Sequence, residues 1–97
     1  MTAWLVITAK VHDRATFMAG YAPAAAQLVA QFGGEYEIRA RGVETLEGAS
    51  VDGASVVVSK WPDRGAAKAF WDSPEYREVA RLREGIADVT VLLVSDD

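Results

Sequence analysis

Cysteine is absent from the 97-residue chain, and histidine occurs once, at His12. Without a thiol there is no disulfide framework, no thiolate nucleophile and no cysteine-based zinc site. One histidine is too few for the usual imidazole-rich metal sites, and the carboxylates show no calcium-loop spacing. No metal or cofactor is expected. Long hydrophobic runs are missing as well, since no stretch approaches the ~18 apolar residues that a membrane span needs. The amino-terminal Trp4-Leu5-Val6-Ile7 is apolar but follows no basic segment, so it reads as a strand rather than a signal peptide. A cytoplasmic location follows by default, with no membrane partner. Basic charge is scarce: ten Lys and Arg face fourteen Asp and Glu, for a net charge of -4. The basic residues are scattered and form no stripe of the kind that neutralises phosphates. Nucleic acid is not an expected partner.

What remains is the balance of a folded globule, with 51% hydrophobic and 25% charged residues. A chain of this length buries roughly two thirds of its unfolded surface, enough for one core, so residues 1–97 are read as a single domain. Residues 3–11 are rich in β-branched and aromatic types and predict a strand. Leu5, Ile7 and Ala9 point one way, and Trp4, Val6, Thr8 and Lys10 the other. Asp13 is placed to cap a helix whose apolar face is Phe17, Tyr21, Ala24, Ala25, Leu28 and Phe32, with a kink expected at Pro23 and an end at Gly33-Gly34. Residues 35–42 alternate cleanly. Glu35, Glu37, Arg39 and Arg41 share one side and Tyr36, Ile38 and Ala40 the other, as in a half-exposed edge strand.

A loop with a short strand extension is expected from Val43 to Gly53, and a third, interior strand over residues 54–61. The stretch from Trp61 to Tyr76 holds four of the nine aromatic residues. It ends that strand at Pro62, runs a short helix capped by Asp63, and restarts at Ser73-Pro74, a capping serine followed by proline at the first helical position. We read it as the lid of a small apolar pocket. Tyr76, Val79, Ala80 and Leu82 continue the apolar stripe, Gly85 stops it, and residues 88–94 form the last strand.

The order β-α-β-β-α-β predicts an α+β, ferredoxin-like fold: a four-stranded antiparallel sheet with helices on one face. The reverse of the sheet would carry Trp4, Val6 and Val57, too apolar to leave in water. A second copy of the chain is the expected partner, giving a closed dimeric α/β barrel.

Tyr21, Gly33-Gly34, Arg41-Gly42, Leu46-Glu47-Gly48, the Trp61-Pro62 strand end and Phe70-Trp71-Asp72-Ser73-Pro74-Glu75-Tyr76 followed by Arg83 together resemble the family known as domain of unknown function 1330, within the dimeric α/β-barrel superfamily. The match runs in order along nearly the whole chain. It implies a ferredoxin-like protomer that dimerises through its sheet. Superfamily relatives include cofactor-free monooxygenases, lactone isomerases and haem-handling proteins, while the family itself has no settled activity. This chain carries Trp61 where many relatives carry Phe.

No complete catalytic constellation is present, so the catalytic residues are unassigned. Tyr21, Trp61, Trp71 and Tyr76 are candidates for the wall of a pocket that accepts a small aromatic or carbonyl compound; the bland alternative is that they fill the core. Arg39 and Arg41 are candidates to clamp a carboxylate or enolate with a bidentate fork, against ordinary pairing with the edge-strand glutamates. Glu47 and His12 are candidate acid/base groups, against simple solvation in their loops. Arg83 lies two turns beyond Tyr76 on the same side, where it could reach the pocket or a carboxylate across the dimer, against a plain surface position. The expected function is a homodimeric small-molecule-binding protein with cofactor-independent oxygenase or isomerase chemistry. One alternative is a non-catalytic binding protein with a structural aromatic core, and another is haem binding through His12.

Overall fold

The computed structural model describes residues 1–96. The chain runs β1 (Ala3–Val11), α1 (Arg14–Ala19), α2 (Tyr21–Gln31), β2 (Glu35–Ala40), β3 (Ser55–Trp61), α3 (Arg64–Trp71), α4 (Pro74–Ala80), a 3-10 turn (Arg81–Arg83) and β4 (Ala87–Ser95). The strands form one antiparallel sheet in the order β2-β3-β1-β4. This is the ferredoxin-like α+β arrangement.

The register of β1 decides which residues meet the helices. Ala3, Leu5 and Ala9 are buried on the helical side, where they stand opposite Trp61, Ser59 and Ser55 of β3. Val57 pairs with Ile7 and therefore also faces the helices. That corrects the expectation that Val57 lies on the reverse of the sheet. The valines there are Val56, opposite Thr8, and Val58, opposite Val6.

The core is Leu5, Leu28, Val29, Trp61, Ala67, Phe70 and Tyr76 with Ala3. Seven rings run from it toward α1 in tilted or edge contact: Trp61 on Phe70 at 4.9 Å between centroids, Phe32 on Phe70 at 5.9 Å, Phe70 on Tyr76 at 4.8 Å, Trp71 on Tyr76 at 5.0 Å, Tyr76 on Tyr21 at 6.5 Å and Tyr21 on Phe17 at 5.1 Å. Such tilted contacts add to area burial because ring quadrupoles favour them.

The first helical segment breaks at Gly20, not at Pro23. Proline lacks the N–H that would bond the carbonyl of Ala19, so the chain turns just after that residue. Pro23 is thereby left in the first turn of α2, where a missing N–H has little consequence. Asp13 caps α1 by accepting the Thr16 N–H at 3.2 Å and the Thr16 hydroxyl at 2.7 Å. These bonds hold the Asp13 carboxyl below the ordinary aspartate pKa.

Ser73 joins α3 to α4. Its hydroxyl accepts the Tyr76 N–H at 3.1 Å and donates to the Phe70 carbonyl at 2.8 Å, and the residue is buried. Ser73→Ala strands the Tyr76 N–H, while the Phe70 carbonyl keeps the Ser73 N–H at 3.2 Å. Urea denaturation should show a loss of about 1–2 kcal/mol, and a loss below half of that would mean that water replaces the hydroxyl.

Candidate functional site

β2 does not alternate as its sequence suggests. Tyr36 stands opposite Ser59 and Ile38 opposite Val58, so Glu37 is an extra residue in a β-bulge. From there on the faces are exchanged relative to a regular strand. Arg39 stands opposite Val57 on the helical side, while Ile38 turns to the reverse and is 48% exposed. Glu37 accepts a hydrogen bond from the Trp4 indole at 2.8 Å, which ties the bulge to β1 across β3.

This rotation builds a cleft of about 290 Å³ between α1–α2 and the β2–β3 end of the sheet, a volume at the lower end of the range for small-molecule pockets. Its apolar wall includes Phe17, Met18, Tyr21, Ala25, Ile7 and Val57, and its polar side is Arg14, Tyr36, Arg39, Arg41 and Ser55. Arg14 donates to the Ser55 hydroxyl at 3.0 Å. The Arg39 guanidinium sits over the Tyr36 ring, 4.8 Å from its centroid. Among the described residues none of the three arginines forms an ion pair, and no carboxylate or imidazole lines the cleft.

Tyr21 joins the cleft to the core. Its hydroxyl meets that of Tyr76 at 2.7 Å, and the Arg83 guanidinium lies 5.6 Å from its ring centroid. Burial, reinforced by Tyr76, pushes the Tyr21 phenol well above its ordinary pKa, with Arg83 opposing. Burial also raises the Tyr36 phenol, against the pull of Arg39. Both residues are neutral hydrogen-bond donors over the physiological range, not bases. Arg83 is half-buried rather than on the surface. Burial lowers its pKa, but the phenol oxygens of Tyr76 and Tyr21 more than offset this. It lies seven residues after Tyr76, so helical spacing puts it on the Tyr76 face, while Leu82, one residue earlier, points away and is 47% exposed.

The other sequence candidates lie elsewhere. Trp61 is 1% exposed in the core and donates its indole N–H to Ser59 Oγ at 2.9 Å. Tyr76 is buried beside it. Trp71 borders a separate recess of about 140 Å³ with Leu5, Ala67, Val91 and Leu93, so the 61–76 stretch covers a hollow about half the size of the cleft. Glu47 is exposed in the 41–54 loop. His12 Nε2 lies 2.8 Å from Asp88 Oδ2 at an exposed edge of β1 and β4. Sequence reasoning missed Arg14, Phe17 and Tyr36 as cleft residues. The available signal was the Arg-Phe spacing at the start of the first helix, which places both one turn apart near the sheet.

Fold and cleft together define a ferredoxin-like α+β protein with a hollow between its first helical pair and its sheet. The chain belongs to the family described as "Domain of unknown function (DUF1330)", whose sequence profile matches residues 2–96. No curated protein sequence matches it significantly. Among solved structures it is similar to the RPA0582 protein of unknown function from Rhodopseudomonas palustris, with a TM-score of 0.77 and 15% identity over 96% of this chain and 80% of that one. It is also similar to SnoaB, a cofactor-independent oxygenase from Streptomyces nogalater, with a TM-score of 0.72 and 18% identity over 99% and 93%. A dimeric ferredoxin-like protein of unknown function from Jannaschia sp. CCS1 gives a TM-score of 0.75 at 10% identity over 98% and 99%. At these identities the likeness is one of fold. Among the described residues no helix is long and apolar enough to cross a membrane.

Proposed function

We propose that the protein is a homodimer that binds a small planar aromatic or carbonyl compound in the Arg39-lined cleft and acts on it without a cofactor. The observation that carries this reading is the cleft itself, which combines an apolar wall with the Tyr36 phenol and guanidinium groups that have no ion-pair partner among the described residues. The wall would bury the rings of the ligand. Tyr36 and the arginines would stabilise its enolate or phenolate, lowering the ligand's own pKa in a site partly screened from water. Among the described residues no carboxylate or imidazole lines the cleft, so none of them offers a strong base there. The reactions favoured are those of substrates acidic enough to ionise once bound. The reading is supported by the similar fold of SnoaB, which is described as a cofactor-independent oxygenase. The lack of a base equally favours a second reading, binding without turnover.

The homodimer rests on the reverse of the sheet, where Ile38, Leu92 and Val94 are about half exposed beside Trp4, Val6 and Val58. Apolar area of this extent on a sheet face is normally covered. Structural neighbours with the same fold are described as dimeric.

A thermal-shift screen of phenols and lactones tests the ligand reading. A compound at a hundred times its Kd stabilises the folded form by about 2.7 kcal/mol, or roughly 10–20 °C for a domain of this size. Tyr36→Phe should weaken the best compound roughly three- to tenfold. A flat response across the whole screen would remove the reading.

A further inference from the structure

We infer that the ligand of the cleft is a carboxylate, a planar aromatic or conjugated acid whose anionic group is gripped by Arg39 and Arg41 with Arg14 close by. The inference rests on the reading of the cleft as a ligand site and adds the charge of what enters it. Among the described residues only two arginines, Arg77 and Arg81, pair with carboxylates, at 3.5 Å and 3.9 Å, so it is convergence on one hollow that marks the cleft. Here three arginines from two separate parts of the chain converge on one hollow, and among the described residues none has a carboxylate within ion-pair distance. Two are steered by neutral groups, Arg14 by the Ser55 hydroxyl at 3.0 Å and Arg39 by the face of Tyr36 at 4.8 Å. These partners fix direction and leave the positive charge uncompensated.

Glu35 and Glu37, the acidic neighbours in sequence, are kept out of the cleft by the bulge, which sends Arg39 to the helical side and holds Glu37 against the Trp4 indole instead. The remaining wall is apolar, which weakens screening of the charge beside it. A guanidinium presents paired N–H donors that match the two oxygens of a carboxylate, whereas a neutral carbonyl can use only one. Arg39 and Arg41 are both exposed at the rim, so their pull is moderated by solvent and the discrimination is one of degree.

The test is calorimetric titration with a matched pair, 3-hydroxy-2-naphthoate and its methyl ester, which share their rings and differ in charge. On the wild-type protein the acid should bind about tenfold or more tighter than the ester. Its affinity should fall as NaCl is raised from low to about 0.5 M, while the ester is indifferent. In the double variant Arg39→Gln/Arg41→Gln, ester binding should persist and the preference for the acid should vanish. The salt series on wild-type protein carries the test if the variant does not fold. Equal binding of acid and ester overturns this inference and leaves the cleft reading standing. A preference that survives the double variant, or that ignores salt, overturns the arginine assignment. Binding of neither compound overturns the cleft reading and the inference with it.

Discussion

Gly34→Ala is expected to destabilise the protein by about 3 kcal/mol, a drop of roughly 12–24 °C in Tm. A Cβ at this position would lie 2.6 Å from Trp61 Cζ2, 2.7 Å from Cη2 and 2.8 Å from Cε2. The backbone of Gly34 is not in the left-handed region, unlike that of Gly33 at φ 88°, so the cost is purely one of space. Trp61 cannot move aside. It is 1% exposed, packs on Phe70 at 4.9 Å and is bonded to the buried Ser59. Trp61→Phe shortens the ring system on the crowded edge and has its own cost, because it opens space and strands the Ser59 hydroxyl. In that background Gly34→Ala should be far better tolerated, with a coupling of about 1–3 kcal/mol between the two changes in a double-mutant cycle. Strictly additive costs would show that the contact is not what excludes a side chain at residue 34.

Leu92→Asp should convert a dimer into a monomer without unfolding it. Leu92 is 56% exposed in the protomer and stands on the edge strand β4, opposite Val6 on the reverse face. As an exposed position it should change protomer stability by no more than about half a kcal/mol. In a two-fold interface each copy contributes the same patch, so one substitution introduces two unpaired carboxylates at once. Burying them without partners should raise the dimer dissociation constant roughly a thousandfold or more. Sedimentation velocity at micromolar concentration reads this directly. A wild-type protein that sediments as a monomer would remove the dimer, and a variant that stays dimeric would place the interface elsewhere.

The elements whose boundaries depend on local chemistry were legible in the sequence. The Asp13, Asp63 and Ser73 caps all hold their helix starts, and the alternation of Leu5, Ile7 and Ala9 against Trp4 and Val6 sorts β1 correctly onto its two faces. Two departures share a cause. Each is a matter of phase, which leaves composition unchanged. The bulge at Glu37 exchanges the faces of β2. The pairing of Val57 with Ile7 selects which members of the Val56-Val57-Val58 run look outward, and a uniformly apolar strand cannot announce that choice. The candidate site was harder to read than the fold because it depends on the first of these. Arg39 reached the cleft only through the bulge, whereas Arg83, seven residues after Tyr76, lies on its helical face by spacing alone.

The three tryptophans occupy three different settings: Trp61 sealed beneath Gly34, Trp4 on the reverse of the sheet with its indole bonded to Glu37, and Trp71 beside the recess under α3. The chain therefore carries its own set of optical reporters. Variants that keep a single indole would resolve melting, subunit separation and movement of the α3 region as distinct emission signals, with no extrinsic dye attached.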